Sequence, residues 1–370
     1  MKVVHVTSHL IRKAAGVREV VLELSRAQIA LGIDVSVVGL DDQGWIYEKD
    51  DWSGVPVHAC SVLGSKSFGY SPEMLKTLKK IKPDIVHLHG LWMHPGRSVL
   101  RWHLETGGPY IVSPHGMLSN VALSYSPVKK KIASLLFQNK VFDHAGLVHA
   151  TCIAEKNEFL RYGLSNQSVV IPNGISEMNN KDSENSVKRT ILSLGRIHKK
   201  KALDQLIQAW NTLENKFPDW NLEVVGPDEE GESLRLKELI EELGLQRAKV
   251  RVPVYGEEKI KLMANAGIFA LPTKSENFAL TVAESLMLCV PVVSSKGAPW
   301  EGLEVERCGR WVEFGWRPMA IALEEMMLLS DDERIAMGRR GRIWMQREFS
   351  WNSIVRRLSD VYSDTVINNE

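Results

Sequence analysis

The residues best suited to chemistry lie between positions 266 and 302. There an apolar run, Ile268-Phe269-Ala270-Leu271-Pro272, precedes the polar loop Thr273-Lys274-Ser275-Glu276-Asn277, a helical stretch carrying Glu284, and a second apolar run, Pro291-Val292-Val293. A unit of strand, loop, helix and strand sets one carboxylate at the loop and another one to two turns into the helix. The helix N-terminus points between them. Its first N–H groups lack intrahelical acceptors and sit at the positive end of the helix dipole, so they favour a phosphate. Carboxylates accept hydrogen bonds from sugar hydroxyls. One such unit can therefore grip both the phosphate and the sugar of a nucleotide sugar.

A second group supplies positive charge. Gly195-Arg196 ends the apolar run Ile191 to Leu194, and Lys201 opens a helix-like run through Leu203, Leu206, Ile207 and Trp210. A diphosphate leaving group needs its charge neutralised as its bond breaks, and a fixed Arg with a Lys does this without a metal. Arg196 and Lys201 are the expected electrophilic catalysts; Lys199 and Lys200 stand beside them, so spacing does not single out one lysine.

The first half carries weaker signals. Ala14-Ala15-Gly16-Val17 follows the first apolar run and opens an amphipathic stretch to Ala30, where Gly16 lets a ligand approach the backbone and Arg18 adds positive charge. His115 follows the run Tyr110 to Val112, at a loop edge. His87, His89 and His94 form a trio without paired carboxylates, which reads as acceptor-side or structural, with no metal site.

The elements that must position these residues are legible in the apolar runs. They occur at Val3 to Val6, Val35 to Val38, Ile85 to Leu88, Tyr110 to Val112, Leu147 to Ala150, Val169 to Ile171, Ile191 to Leu194, Leu222 to Val225, Val250 to Val252, Ile268 to Leu271 and Pro291 to Val293, alternating with helical patterns. Strands alternating with helices imply parallel sheets, and continuous apolar runs suit strands covered on both faces. The chain of 370 residues fits two such domains. A boundary is expected at Ile171-Pro172-Asn173-Gly174, followed by a turn-rich stretch through Asn185. Beyond Trp316 the pattern is helical over Ala320 to Leu329, Asp331 to Glu348 and Trp351 to Val366.

Composition narrows the function classes. With 44% hydrophobic and 25% charged residues the chain is of ordinary globular type, and no apolar run approaches the roughly 20 residues that span a bilayer. The opening Lys2-Val3-Val4-His5-Val6 reads as a strand and not as a signal peptide, and Cys60, Cys152, Cys289 and Cys308 have no close pairing. A cytoplasmic protein is expected. Residues 1–170 hold 19 Lys and Arg against 14 Asp and Glu, a net +5 within an overall +1. Lys129-Lys130-Lys131 opens an apolar stretch with Ile132, Leu135, Leu136 and Phe137. It reads either as the solvated first turn of a core helix or as a contact over 129–140 with an anionic membrane surface, peripheral on the cytoplasmic face of the inner membrane. Basic residues are neither dense nor interleaved with aromatics, so no nucleic-acid partner is expected.

Ser275-Glu276-Asn277-Phe278-Ala279-Leu280, then Ala283-Glu284-Ser285-Leu286 and Val290-Pro291-Val292-Val293, resembles the E-x7-E signature of retaining glycosyltransferase family 4. The resemblance continues through Leu88-His89-Gly90-Leu91-Trp92, Ser113-Pro114-His115-Gly116-Met117-Leu118, Ile171-Pro172-Asn173-Gly174-Ile175 and Pro299-Trp300-Glu301-Gly302-Leu303, and is nearest to members that build exopolysaccharide or lipopolysaccharide. It implies an α/β chain of GT-B fold: two Rossmann-like, doubly wound domains facing across a cleft. Residues 1–172 would bind the acceptor, with a C-terminal helix 351–370 packing back on them, and residues 173–350 would bind the nucleotide-sugar donor.

By the same resemblance Glu276 lies by the hydroxyls of the donor sugar, Glu284 holds the ribose, and the amides of Phe278, Ala279 and Leu280 beside Asn277 meet the distal phosphate. His115 contacts the donor sugar or the reacting centre. Gly16 belongs to the donor side, while His89, Trp92 and Asn173 belong to the acceptor side or the hinge.

The implied reaction is retaining, metal-independent and cofactor-free. It moves a hexose from a UDP-linked donor by default, or a GDP-linked one, to a glycan or lipid-linked acceptor. Ala15, Ala202, Ala279 and Cys289 stand where similar proteins commonly have Gly. These departures support an alternative reading as a catalytically weak scaffold or regulator of a polysaccharide assembly complex. An epimerase would need acidic pairs that are missing, and a nicotinamide dehydrogenase would need a G-x-G-x-x-G after the first strand.

Overall fold

A computed structural model describes residues 1–11, 15–41, 44–178 and 189–369; Ala14, the side chain of Ala15 and most of the turn-rich stretch 176–185 fall outside that description. The chain divides into two compact units, Met1–Gly174 with Trp351–Glu370, and Ile175–Ser350.

The first unit is built on β1 (Lys2–Thr7), β2 (Asp34–Asp41), β3 (Val57–Ser61), β4 (Ile85–His89), β5 (Tyr110–Ser113), β6 (Leu147–Ala150) and β7 (Ser168–Val170). The second uses β8 (Thr190–Leu194), β9 (Asn221–Val225), β10 (Ala248–Arg251), β11 (Ile268–Leu271), β12 (Val292–Ser295) and β13 (Gly309–Val312). Their orders are β3-β2-β1-β4-β5-β6-β7 and β10-β9-β8-β11-β12-β13, with every paired neighbour parallel. The crossover helices cover the sheets and the order reverses beside the first strand of each, which makes both units α/β and doubly wound. In the second unit Leu206, Ile207 and Trp210 belong to one buried cluster and Val282, Leu286 and Trp300 to another.

The first sheet departs from an apolar sandwich. His87 and His89, two apart on β4, share a face by the period of the strand, and the register sets His5 opposite His87 and Ser113 opposite His89. His5, His87, His89 and His149 are buried, covered by Gln28 of the helix Ala15–Ala30 and by Tyr362 of the helix Trp351–Ile367. The C-terminal helix is therefore an integral layer of the first unit.

Three of the positions where Gly was the expected residue have left-handed backbone: Ala202 at φ 50°, Ala279 at φ 62° and Cys289 at φ 60°. Cys289 closes the helix Leu280–Met287 in a Schellman turn, with Val290 N–H donating to Ser285 O at 2.9 Å and Cys289 N–H to Leu286 O at 3.0 Å. A Cβ there crowds the following carbonyl and costs about 1–2 kcal/mol. Cys289→Gly is accordingly expected to raise stability by roughly 1 kcal/mol after the extra chain entropy of Gly is offset. The urea midpoint measures it, and a lowered midpoint contradicts it.

Burial holds the imidazoles uncharged. It lowers His5 and His149 to about 4, His115 to about 3, and His87 and His89 well below their ordinary value. In the unfolded chain each takes up a proton near pH 6.5. Between that value and about 4 the unfolded state therefore binds protons that the fold excludes. Stability is complete above pH 6.5 and falls as the pH drops, by about 1.4 kcal/mol per pH unit for each group. Thermal melts between pH 7.5 and 5.0 should show a steeply falling transition; an unchanged melting temperature would remove this account.

Candidate active site

In the second unit β8 and β11 are hydrogen-bonded neighbours, with Ile191 opposite Ile268 and Leu192 opposite Phe269, so the loops after them leave one sheet edge side by side. The loops after β8 and β9 meet closely at their backbones: a Cβ on Gly226 would lie 1.7 Å from the carbonyl oxygen of Gly195. Backbone ties then knit the loop after β11 to its neighbours. Lys274 N–H donates to Lys200 O at 3.0 Å, and Glu276 N–H donates to Gly297 O at 2.7 Å. Ser295 Oγ donates to Thr273 O at 2.5 Å.

These ties bring Lys201 Nζ to 2.7 Å from Glu276 Oε1, with both side chains about 15% exposed. Thr273 Oγ1 donates to the same carboxylate oxygen at 3.0 Å. Burial pushes the Glu276 carboxyl up, but the Lys201 ammonium, Lys200 and the Thr273 hydroxyl together hold it below the usual carboxylate range. Glu276 is thus a desolvated anion with lone pairs to offer to hydroxyls. Among the three adjacent lysines, contact with Glu276 belongs to Lys201.

Arg196 and Lys201 line the same small cavity with Gly195 and Leu271. The Arg196 guanidinium is more exposed than Lys201 and pairs with Glu229 at 3.0 Å. Glu229 carries no sequence signal, because it comes from the loop after β9.

Ala279 caps the helix Leu280–Met287 without a side-chain hydrogen bond. Phe278 is buried against Trp300 at 5.2 Å and Phe349 at 6.0 Å, and Trp300 Nε1 donates to Phe278 O at 2.5 Å. With the side chains of Phe278 and Ala279 buried, these residues can serve a ligand only through their backbone; Asn277 and Leu280 are half-buried. Glu284, in the second turn, is 8% exposed and receives a hydrogen bond from Lys259 Nζ at 2.6 Å. Lys259, on the helix Gly256–Ala264, is a second partner that sequence spacing did not reveal.

In the first unit the structure brings His89 and His115 together: Nδ1 of His89 lies 2.9 Å from Nε2 of His115. His89 is 2% exposed, so it stands behind the half-buried His115. The loop of His115, at φ 52°, is fixed by the buried Glu155, which accepts from Gly116 N–H at 2.6 Å and from Thr151 N–H at 2.7 Å.

Trp92 is packed at 6.2 Å on Tyr162, its backbone N–H donating to Gln138 Oε1 at 2.9 Å, and Asn173 is buried. Gly16 is exposed, and a Cβ there would meet nothing within 4 Å. Its backbone does not by itself demand glycine.

Two expectations are corrected. Arg18 adds no free positive charge, because it is 3% exposed, pairs with Asp51 at 2.7 Å and Glu19 at 3.0 Å, and lies over the Trp52 ring. His94 does not join His87 and His89, because its ring nitrogen turns to Ser98 Oγ and Ser71 N–H, both at 3.2 Å. The trio that converges is His5, His87 and His89, with a ligand atom from each within 4.8 Å of the others. Both nitrogens of all three rings already meet protein partners at 2.6–2.9 Å, so a metal would have to displace hydrogen bonds to bind.

Residues 15–174 match the model of a glycosyl transferase 4-like domain, and residues 175–344 match that of the glycosyl transferases group 1. A GDP-mannose:cellobiosyl-diphosphopolyprenol alpha-mannosyltransferase of Xanthomonas oryzae is 25% identical over 99% of this chain and 97% of its own. A D-inositol 3-phosphate glycosyltransferase of Corynebacterium urealyticum is 32% identical over 46% of this chain and 41% of its own.

Among solved structures, Anabaena HepE in complex with UDP superposes with a TM-score of 0.79 at 17% identity, over 98% of this chain and 100% of that one. The two adjoining family matches, on two doubly wound units, establish that the chain belongs to glycosyltransferase family 4, glycosyltransferases of group 1 type with the GT-B fold.

Proposed function

We propose that the chain is a retaining, metal-independent hexosyltransferase that moves a sugar from a nucleoside diphosphate to a hydroxyl of a lipid-linked glycan in cell-surface polysaccharide synthesis. The observation that carries this reading is the desolvated Lys201–Glu276 pair at 2.7 Å beside Arg196. Glu276 receives hydroxyls of the donor sugar, Glu284 holds the ribose, and the first-turn amides of the helix Leu280–Met287 meet the distal phosphate. The bond from the anomeric carbon to the diphosphate breaks while the acceptor oxygen bonds to the same face of that carbon. The acceptor proton passes to the leaving phosphate, whose charge Arg196 and Lys201 neutralise. Both cations are supplied by the chain, so the scheme asks for no cofactor.

The full-length mannosyltransferase relative is named for GDP-mannose and a diphosphopolyprenol acceptor, while solved structural neighbours carry UDP and UDP-glucose. GDP-mannose is accordingly the first donor to test. Calorimetry against UDP, GDP, ADP and their hexose conjugates, with and without magnesium, should show one nucleotide bound selectively and independently of the metal. Binding of none would overturn the transferase reading in favour of a scaffold. Glu276→Ala is expected to lower transfer at least about 100-fold with nucleotide binding retained; full activity would remove Glu276 from the site.

A peripheral membrane contact completes the proposal. No helix among the described residues is long and apolar enough to cross a membrane. The helix Pro127–Ala133, extended by Ser134–Gln138, buries Ala133 and Phe137 while leaving Val128, Ile132, Leu135 and Leu136 exposed at 52–73%. An apolar face turned outward beside Lys129 and Lys131 suits an anionic bilayer. Lys130 is excluded from this patch, since its ammonium is turned onto the Ala122 carbonyl. Replacing Ile132, Leu135 and Leu136 by Ser should reduce cosedimentation with phosphatidylglycerol vesicles by at least about tenfold; equal binding would defeat the contact.

A further inference from the structure

The hydrogen bonds beneath His115 fix where its proton sits. Ile171 O is a main-chain carbonyl and can only accept, so His149 Nε2, 2.7 Å away, carries the proton and the Nδ1 of this neutral ring is bare. Ser113 Oγ, at 2.7 Å, donates to that Nδ1. With its one proton used, Ser113 must accept from His87 Nε2 at 2.6 Å. His87 Nδ1 then accepts from the Tyr362 hydroxyl at 2.7 Å.

The Gln28 amide is placed with its nitrogen toward the Tyr362 hydroxyl, at 3.5 Å, and its oxygen on His5 Nε2 at 2.6 Å. His5 is therefore protonated at Nε2 and accepts at Nδ1 from His89 Nε2 at 2.9 Å. His89 Nδ1 accepts from His115 Nε2, also at 2.9 Å. With the carbonyl at Ile171 and this orientation of the Gln28 amide given, each remaining step has one solution, and His115 emerges with Nε2 protonated and Nδ1 bare.

We propose that Gln28 and Tyr362 are positioning residues that lock His115 as the Nε2–H tautomer, so that in sugar transfer it offers Nδ1 as an acceptor to a hydroxyl and supplies no positive charge. This rests on the reading of His115 as a residue of the transfer reaction. Gln28 is the branch point: its two-ended amide joins the Ile171 branch to the His115 branch, 334 residues apart in sequence from Tyr362. An imidazole in the other tautomer would present an N–H where a hydroxyl has to donate.

The test reads the tautomer directly, by long-range proton–nitrogen correlation spectra of the full chain labelled with nitrogen-15 histidine at pH 7.5. His115, assigned through His115→Gln, should show a bare Nδ1 and a protonated Nε2. In Tyr362→Phe, which keeps the ring, the Gln28 amide is released to rotate, and His115 should become a mixture of tautomers; Gln28→Leu should do the same. With the donor found by calorimetry, Tyr362→Phe should lower kcat about tenfold and leave the donor KM within about twofold. A cationic or Nδ1-protonated His115 in the natural chain overturns the proposal, as does a tautomer unchanged in both variants. The spectra need no nucleotide, so a correct tautomer in a chain that binds no donor would sink the transferase reading and leave the lock standing.

Discussion

Desolvation sets the terms on which the buried charges of the candidate site are kept, and the Lys201–Glu276 contact at 2.7 Å shows how they are met. A carboxylate withdrawn from water loses hydration worth several kcal/mol, and an ammonium alone repays that only when further hydrogen bonds complete the shell. Here Thr273 supplies one such bond, and the backbone ties through Lys200 and Gly297 hold both partners in place. The net effect is a carboxyl held below its usual range despite burial. The second carboxylate, Glu284, is likewise buried and paired with a lysine, Lys259, at 2.6 Å. A site assembled this way needs little reorganisation when a charged ligand arrives, which is where electrostatic catalysis draws its advantage.

The parallel sheet makes such assembly economical. All strands of a sheet end at the same edge, so residues far apart in sequence meet without long excursions of chain. Arg196 and Lys201 follow β8, Glu229 follows β9, Glu276 follows β11 and Gly297 follows β12. In the first unit His89 ends β4, and His115 follows β5. The cost is that loops must approach one another closely, and the contact of Gly226 with the Gly195 carbonyl is paid for by the absence of a side chain.

Central strands were legible because both faces are buried and their sequences are continuously apolar. The two strands the sequence did not reveal, β3 and β13, are edges of their sheets. Val-His-Ala-Cys-Ser and Gly-Arg-Trp-Val need shield only part of their surface, so the apolar signal is diluted. At the other end of the register, Val252 looked like strand but is 78% exposed beyond Arg251.

The candidate site residues on one strand, loop and helix unit were named from local spacing. Their counter-charges Glu229 and Lys259 were not, because nothing local distinguishes a partner delivered by another segment. Arg18 misled for the same reason: only the fold shows that Asp51 and Trp52 enclose it. For the buried histidines the alternation His87-Leu88-His89 was the available signal; the contribution of His5, Gln28 and Tyr362 depends on register and on the C-terminal helix.

The left-handed alanines connect strain to chemistry. A Ser, Asp or Asn before a helix stabilises it by accepting a hydrogen bond from a first-turn amide, worth about 1 kcal/mol. The helix Asp331–Glu348 has this in full, with Ser330 and Glu333 forming a capping box. The helices Leu203–Asn211 and Leu280–Met287, which follow Lys201 and Glu276, instead begin at Ala202 and Ala279, with no side-chain cap and with φ of 50° and 62°. Both choices destabilise the apo chain. Neither places a capping side chain where a diphosphate is expected: Gln205 N–H and Val282 N–H donate to the carbonyls of Ala202 and Ala279, both at 2.9 Å, and no side-chain cap competes for the amides nearer each helix start. The strain falls on the two helix entries beside the charged pair, where a ligand that supplies the missing acceptors recovers what the caps do not provide.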